Sequence, residues 1–270
     1  MKAMVLAAGL GTRLRPLTND KPKALVEVAG RTMLEITLER LRGVGVREVI
    51  VNAHHFADQL VEYLQAHENF GMRVEVSRED VLLDTGGGLK QAAWFFRGGD
   101  EPFLLHNVDV VSTIDLRRMV AAHCEGAALA TVAVQERATS RPLLFDEDGL
   151  LCGRRRGEGE PEMVRGAKSA TALAFCGIHV IAPRLLETME EEGVFSIIET
   201  YLRLAAGGER IMAFRADEYY WRDLGKPEQI AAAESEIRNQ ESGIRNQKSV
   251  IDDESVTKDE TQILRSPPPN

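Results

Sequence analysis

A turn with two glycines and four cations lies near the start of the chain. Gly9 and Gly11 carry no Cβ atom, so the backbone N–H groups beside them can approach an anion closely. The cations that follow are Arg13, Arg15, Lys21 and Lys23. Several positive charges next to accessible N–H groups favour the binding of several phosphate groups at once. The segment therefore predicts a polyphosphate site.

Two well-known phosphate loops do not match this segment. A Walker A loop closes with lysine followed by serine or threonine, whereas Gly11 is followed by Thr12 and Arg13. A dinucleotide-binding loop needs a small residue at the position of Leu14. A strand followed by a solvated basic loop is the ordinary alternative. The run that favours the phosphate site over it contains Gly9, Gly11, Arg13, Pro16, Thr18, Pro22 and Lys23.

Strand-like and helix-like patterns alternate in the first half of the chain. Apolar segments predict strands at Lys2–Ala8, Glu48–Asn52, Arg73–Val76 and Phe103–Asn107. Amphipathic segments predict helices at Phe56–Gln65 and Gly88–Phe96. This alternation predicts an α/β fold with a Rossmann-like, mainly parallel sheet flanked by helices. Ligands bind such sheets beyond the carboxyl ends of the strands, where the loops at Gly9, Asp84–Gly88 and Asn107–Asp109 open.

The second half is richer in strand-like segments. Strands are predicted at Ala128–Val134 and Ala172–Ile181, with a hairpin at Leu143–Gly153 between them. Together they predict a small β-rich insertion. Arg154–Ser169 is polar, contains three consecutive arginines, and is predicted to be a loop. Helices are predicted at Pro183–Glu192 and Ser196–Ala206.

The composition of the chain limits the classes of partner that it is expected to bind. The 270 residues carry a formal net charge of -9, which argues against a nucleic-acid partner, since such a partner requires a basic face. A basic loop in an acidic protein indicates a small anionic ligand instead. No apolar run approaches the ~20 residues that span a bilayer, so we expect no membrane partner. Three distant cysteines without metal-ligand spacing are expected to be reduced thiols in a cytoplasmic protein.

The last part of the chain differs from the rest. Ser235–Glu241 is nearly duplicated by Ser242–Lys248, and the remainder is charged, lacks aromatic residues and ends near a triple proline. Two copies are too few for a repeat fold. We expect one folded domain over residues 1–237 and a disordered tail over 238–270.

Four segments together resemble the signature of the sugar-1-phosphate nucleotidyltransferases. They are Gly9–Lys23, Leu83–Gly88, His106–Asp109 and Trp221–Pro227. The resemblance implies a nucleotidyltransferase that joins an NTP to a sugar 1-phosphate, giving an NDP-sugar and pyrophosphate. It also implies that residues 1–135 mainly bind the nucleotide and that residues 136–237 form the sugar side.

Compact members that use UTP with N-acetylmuramate 1-phosphate, or GTP with mannose 1-phosphate, are the most similar. UTP and an N-acetylmuramate-like sugar are favoured, which implies a role in cell-envelope polysaccharide synthesis. A cytidylyltransferase of the same fold is an alternative. So is a non-catalytic nucleotide-binding regulatory module, although the four residues that such modules lose are all present: Arg13, Lys23, Asp109 and Asp223.

The resemblance also implies roles for individual residues. The implied catalytic residues are Arg13, Lys23 and Asp109, and the implied ligands of Mg²⁺ are Asp109 and Asp223. The implied nucleotide-binding residues are Ala8, Gly9, Gly11, Thr12, Arg13, Lys23, Thr85, Gly86 and Gly87. The implied sugar-side residues are Asn107, Gly177 and Lys168.

The chain departs from the family pattern at two places. Val108 stands where many relatives have glycine before the metal aspartate, and a β-branched residue restricts that turn. The Glu-Lys-Pro segment with which many relatives hold the sugar phosphate is not found. Lys168 and the arginines of Arg154–Ser169 are the candidate substitutes.

Overall fold

The computed structural model describes residues 1–236. In this part the strands are β1 (Lys2–Leu6), β2 (Glu27–Val28), β3 (Arg31–Thr32), β4 (Glu48–Ala53), β5 (Arg73–Arg78), β6 (Phe103–Asn107), β7 (Val110–Ser112), β8 (Ala130–Gln135), β9 (Leu143–Phe145), β10 (Leu151–Arg154), β11 (Glu162–Met163), β12 (Thr171–Ile181), β13 (Ile211–Arg215) and β14 (Trp221–Asp223). The α-helices are α1 (Met33–Gly43), α2 (Ala57–Ala66), α3 (Asp84–Gln91), α4 (Leu116–Glu125) and α5 (Ile197–Ala206). Residues 227–236 are also helical.

β1 lies inside the parallel half of the main sheet, in the order β6-β1-β4-β5. Ala3 pairs with Val49 of β4 on one side and with Leu104 of β6 on the other. Ala3, Met4 and Val5 are fully buried, which explains why this segment is apolar on both faces. The carboxyl end of β1 therefore delivers the glycine loop to the edge where β4, β5 and β6 also end.

β12 joins the two halves of the sheet. It runs antiparallel to β6, β8 and β9, and its pairing with β8 is interrupted between Phe175 and His179. Gly177 lies in this interruption with φ +73°, a conformation that a residue with a Cβ rarely adopts. β9, β10 and β11 form a small antiparallel extension. The predicted α/β fold and its β-rich insertion are confirmed, with a mixed sheet.

Helices cover both faces of the sheet. Ala3 and Val5 of β1 point into a core with α1, α2 and α4, whereas Met4 points into a second core with α3 and α5. Thr32 caps the start of α1, and its hydroxyl accepts a hydrogen bond from the Glu35 N–H at 3.1 Å. The alternation of β1 residues thus anchors helices on opposite faces.

Several predicted boundaries were wrong, among them those of β1, α3 and the helix at Pro183–Glu192. β1 ends at Leu6 rather than Ala8, because the Ala7 N–H donates to the Asn52 side chain at 2.6 Å instead of to a neighbouring strand. α3 begins at Asp84 rather than Gly88. The helix predicted at Pro183–Glu192 is only a 3₁₀ turn over Pro183–Glu187. Side chains satisfy the carbonyl groups beyond it, since Arg203 donates to Thr188 O at 2.8 Å.

The packed cores contain three buried histidines. His123 Nδ1 lies 3.0 Å from the Thr131 hydroxyl, and His179 Nδ1 lies 2.9 Å from the Tyr201 hydroxyl. Burial lowers the pKa of His123 to about 4 and that of His106 and His179 to about 3. The folded protein therefore holds these side chains neutral.

Lowering the pH from 7 to 5 is expected to destabilise the protein partly through these histidines. Folding lowers the pKa of these histidines, so below about pH 6.5 the unfolded chain binds protons that the folded chain does not bind. For His123 alone the loss is about 2 kcal/mol at pH 5. Denaturant unfolding of wild type and His123→Asn at both pH values measures it. The variant should lose about 2 kcal/mol less; an identical loss would contradict the prediction.

In the described residues 1–236, no helix is both long and apolar enough to cross a membrane. The predicted disordered tail, 238–270, lies outside the described residues. The division of the domain into a nucleotide part and a sugar part stays a prediction.

Candidate active site

Two neighbouring cavities open at the carboxyl edge of the parallel strands. The first, called the Asp109 cavity, has a volume of about 320 Å³. It is lined by Leu6, Ala8, Gly9, Lys23, Asn52, Glu79, Leu82, Asp84, Thr85, Asn107, Val108, Asp109 and Val194. The second, called the Asp223 cavity, has a volume of about 360 Å³. It is lined by Arg13, Asn107, Val110, Arg137, Phe175, Gly177, Trp221, Asp223 and Gln229.

Asn107, the last residue of β6, lines both cavities. The sequence predictions converge here: Ala8, Gly9, Lys23, Thr85 and Asp109 line the first cavity, and Arg13, Gly177 and Asp223 line the second. The structure thus forms one divided site from residues distant in the sequence.

Lys23 and Asp109 form an ion pair in the Asp109 cavity. Lys23 Nζ donates a hydrogen bond to Asp109 Oδ2, and their side chains are only 10% and 18% exposed. Screening by water is weak at such burial, so each charge holds the other in place. Glu79 and Asp84 add two further carboxylates to the lining. An anionic ligand in this cavity therefore needs positive charge beyond that of Lys23.

The ladder between β7 and β14 brings together Asp109 and Asp223, the two residues that the family resemblance implies as Mg²⁺ ligands. β14 pairs antiparallel with β7, so that Asp223 is opposite Val110. The Leu224 N–H donates to the Asp109 carbonyl at 2.8 Å. The Asp223 carboxylate accepts from the Gly225 N–H at 2.6 Å. Asp109 and Asp223 thus occupy adjacent backbones.

Asp109 and Asp223 fit a Mg²⁺ ion whose remaining ligands come from phosphate and water. Among residues 1–236 there is no group of three or more His, Cys, Asp or Glu side chains that could hold a metal ion. Mg²⁺ commonly binds one or two carboxylates and completes its octahedron with phosphate oxygens and water. Asp109 and Asp223 would supply two hard oxygen ligands, and a nucleotide would supply the others.

Helix α1 supports the segment that carries Asp109. Arg40 donates hydrogen bonds to the Ser112 hydroxyl and the Ile114 carbonyl, and burial lowers its pKa to about 10. Thr37 donates to the Val108 carbonyl at 3.4 Å. Val108 is itself buried and does not adopt a positive φ, so the β-branched residue fits this turn without the strain that would require glycine.

The glycine loop folds against its own residues. Gly11 has φ +62°, and a Cβ atom there would lie 2.9 Å from the Thr18 methyl group. The Thr18 hydroxyl donates to the Gly11 carbonyl at 2.9 Å. Gly9, in contrast, has no atom within 4 Å of its Cβ position and lines the cavity. Gly11 and Thr12 lie in the loop beside the cavities rather than in their linings, and their contact with a nucleotide stays a prediction.

A buried polar network links the ends of β1, β4 and β5. Asn52 accepts from the Ala7 N–H at 2.6 Å and donates to Glu79 at 2.7 Å. Glu79 also accepts from the Leu83 N–H at 3.0 Å. The sequence analysis missed Asn52 and Glu79 as site residues. The available signal was a polar residue at or just after the carboxyl end of a strand.

The three glycines after Thr85 pack inside the protein. A Cβ on Gly86 would lie 2.4 Å from the Phe195 ring, and one on Gly87 would lie 2.4 Å from the Gly193 carbonyl. The Thr85 hydroxyl accepts from the Ile197 N–H at 3.0 Å. The structure thus gives Gly86 and Gly87 a packing role at the start of α3. Their contact with a nucleobase stays a prediction.

Lys168 is not brought to the site. It lies before β12, its side chain is 93% exposed, and its ammonium group is 3.9 Å from Glu147. The six residues of extended strand between Thr171 and Gly177 span about 20 Å. Lys168 therefore lines neither cavity, and its contact with a sugar phosphate stays a prediction. Arg137, which the sequence analysis did not select, lines the Asp223 cavity instead.

Near the site, His106 at the end of β6 is buried and outside both cavities. His106 is completely buried, and desolvation together with the charge of Arg40 lowers its pKa to about 3. Its Nδ1 lies 2.8 Å from the Asn107 carbonyl. The neutral ring supports the β6 end without exchanging protons at ordinary pH.

Comparison with known proteins decides the family. A family model described as nucleotidyl transferase matches residues 2–145. This chain belongs to that family. An N-acetylmuramate alpha-1-phosphate uridylyltransferase from Caulobacter vibrioides is 36% identical in an alignment of 252 positions, which covers 87% of this chain and 96% of the relative.

A relative longer than this chain supports the same family assignment. The catalytic subunit beta of mannose-1-phosphate guanylyltransferase from Drosophila melanogaster is 30% identical over 84% of this chain, which spans only 60% of that relative. The prediction of a sugar-1-phosphate nucleotidyltransferase is confirmed, and the protein is an enzyme of this class. A UDP-glucose pyrophosphorylase structure, 19% identical, superposes with a TM-score of 0.71 over 88% of this chain and 98% of that one, which confirms the nucleotidyltransferase fold.

The packing role of Gly86 can be tested against Gly9. Gly86→Ala is expected to destabilise the protein by about 1–3 kcal/mol, because the added methyl group overlaps the Phe195 ring. Gly9→Ala adds the same group in open space and should change stability by less than about 0.5 kcal/mol. Denaturant unfolding of both variants measures the difference. Equal stabilities would contradict the packing role.

Proposed function

We propose that this nucleotidyltransferase transfers a uridylyl group from UTP to N-acetylmuramate 1-phosphate or a similar sugar 1-phosphate, with Mg²⁺. The sugar and base rest on the 36% identity to the Caulobacter enzyme over nearly all of that relative. GTP with mannose 1-phosphate is the second candidate, supported by the 30% identity of a guanylyltransferase subunit. Cytidylyl transfer is a further outcome of the test below.

The observation that carries the proposal is the divided site. Two cavities share Asn107, and two aspartates on adjacent backbones, Asp109 and Asp223, belong to different cavities. Lys23 adds a cation to one cavity, and Arg13 adds one to the other. Such a site suits two anionic substrates that must be brought together despite their mutual repulsion.

The Asp109 cavity is the better place for the nucleotide. Leu6, Leu82 and Val194 give it apolar walls, which suit the faces of a nucleobase. Gly9 and Lys23 lie on the same lining and suit the phosphates. The sugar 1-phosphate then takes the Asp223 cavity.

The reaction requires positioning and charge compensation more than proton transfer. A phosphate oxygen of the sugar 1-phosphate forms a bond to the α-phosphorus of UTP, and the bond to the β-phosphate oxygen breaks, so that pyrophosphate leaves. The attacking oxygen is already anionic, so no general base is needed. Lys23 and Arg13 are placed to offset the negative charge of the two substrates.

Mg²⁺, held by Asp109, Asp223 and phosphate oxygens, would supply further neutralisation of the reacting phosphates. We also propose a cytoplasmic location and a role in making cell-envelope polysaccharide, both of which follow from the proposed sugar.

Measuring pyrophosphate release tests the proposed substrates. UTP, GTP, CTP and dTTP are each combined with N-acetylmuramate, N-acetylglucosamine, mannose and glucose 1-phosphates, with Mg²⁺ or with EDTA. UTP with N-acetylmuramate 1-phosphate should give the highest kcat/KM, and EDTA should abolish the signal. A higher value for GTP with mannose 1-phosphate would replace the proposal with the second candidate.

Asp109→Asn is expected to lower kcat by about 1,000-fold or more, since it removes a metal ligand worth several kcal/mol while keeping the side-chain volume. Asp148→Asn, in the exposed turn between β9 and β10, is the matched control and should be near wild type. Steady-state kinetics and the apparent affinity for Mg²⁺ are measured for both. Near-normal turnover of Asp109→Asn would refute the metal assignment.

A further inference from the structure

Three residues that line the Asp223 cavity carry buried polar atoms that lack partners. Among residues 1–236, five buried side-chain polar atoms have no hydrogen bond, and three of them belong to residues that line this cavity. They are Asn107 Oδ1, Arg137 Nε and Gln229 Oε1. Burying a polar group without a partner is costly, so such groups usually await one. Their concentration at one cavity indicates a ligand.

Arg137 is held firmly at this wall. Its guanidinium lies 3.8 Å from the centre of the Trp221 ring, and its Nη2 donates to the Phe175 carbonyl at 2.6 Å. The Trp221 indole N–H donates to the next carbonyl of β12, that of Cys176, at 2.7 Å. Cation–π stacking and two anchored hydrogen bonds fix the plane of the guanidinium before any ligand arrives.

The charge of Arg137 is not neutralised within the protein. No carboxylate of the described residues forms an ion pair with it, in contrast to two of the three consecutive arginines at 154–156. Arg154 pairs with Glu162 and Glu199, and Arg156 pairs with Glu199. The Asp223 cavity therefore has two guanidinium groups, those of Arg13 and Arg137, and one carboxylate. This balance favours an anion.

The other two atoms have a different chemistry. Asn107 Oδ1 and Gln229 Oε1 are neutral acceptors, which pair with O–H or N–H donors. An inorganic anion without bound protons has no O–H or N–H group that could donate to these two oxygens. A cationic donor beside two neutral acceptors matches a molecule that carries both an oxyanion and hydroxyl or amide groups, which is the chemistry of an acidic sugar.

We propose that Arg137 binds an oxyanion of the sugar substrate, while Asn107 and Gln229 accept hydrogen bonds from its hydroxyl or amide groups. The proposal rests on the proposed function and deepens it, since Arg137 takes the role for which no Glu-Lys-Pro segment is present. The oxyanion is either the 1-phosphate or a carboxylate on the sugar.

Direct binding can be read from Trp221. The chain has two tryptophans, and the other, Trp94, is 49% exposed and lies outside both cavities. In the Trp94→Phe protein, fluorescence therefore reports on the ring that stacks on Arg137. Titration with each of the four sugar 1-phosphates, in the presence of α,β-methylene-UTP and Mg²⁺, gives dissociation constants. Adding Arg137→Gln should weaken the best of them by about 10- to 100-fold.

Kinetics of the single variants give a second readout. Arg137→Gln should raise KM for the sugar 1-phosphate by a similar factor and change KM for UTP less than threefold, because UTP occupies the other cavity. Arg137→Lys keeps the charge but loses the planar guanidinium, so its KM for the sugar 1-phosphate should lie between those of wild type and Arg137→Gln. Arg97→Gln, an exposed arginine outside both cavities, is the matched control and should behave as wild type. An unchanged KM for UTP also shows that the variant is folded.

Comparing two sugars identifies the oxyanion. N-acetylmuramate 1-phosphate carries a carboxylate that N-acetylglucosamine 1-phosphate lacks. If Arg137→Gln loses affinity equally for both sugars, Arg137 binds the phosphate. If it loses affinity only for N-acetylmuramate 1-phosphate, Arg137 binds the carboxylate. Either result supports the proposal. Unchanged dissociation constants in Arg137→Gln would overturn the role of Arg137 alone, whereas no binding of any sugar 1-phosphate by the Trp94→Phe protein would overturn the proposed function with it.

Discussion

The active site depends on the short ladder between β7 and β14. Its hydrogen bond from the Leu224 N–H to the Asp109 carbonyl, 2.8 Å long, sets two acidic residues from distant parts of the sequence side by side. This pairing adds two negative charges to one edge of the sheet, and a cation lies beside each of them. Lys23 pairs with Asp109, and Arg13 lies against Gly225, next to Asp223. The same pairing places the aspartates on different cavities, so one backbone contact joins the two halves of the site.

Rigid surroundings hold this ladder in place. Arg40 of α1 is half-buried and ties the β7 segment to the helix, while the network of Asn52 and Glu79 ties the glycine loop to the loop before α3. These buried polar groups are costly unless fully paired, and here they are paired. By contrast, the unpaired polar atoms of the described residues concentrate at the Asp223 cavity. The contrast separates groups that support the protein from groups that face a ligand.

The glycines illustrate how a motif can be recognised for one reason and required for another. The sequence indicates close approach to a ligand at Gly9, Gly11, Gly86 and Gly87. In the structure only Gly9 faces open space, whereas Cβ atoms at Gly11, Gly86 and Gly87 would meet protein atoms at 2.9 Å or less. The missing side chains let the loops pack closely, and this packing determines the shape of the cavities. A glycine-rich signature therefore reports on loop architecture as well as on ligand contact.

The sequence alone determined the parallel strands, the edge at which they end, the cation-rich loop and the resemblance that identified the family. These features are local, since apolar runs and glycine spacing are contained in short segments. Only the tertiary structure decided that Arg137 lines the Asp223 cavity while Lys168 is exposed outside it, because a cation near the end of a strand looks the same in the sequence wherever that strand packs. It also revealed the contacts of Asn52 and Glu79, which join the ends of β1, β4 and β5 to the loop before α3. Contacts between distant segments depend on strand order and register, and no single segment of the sequence contains either.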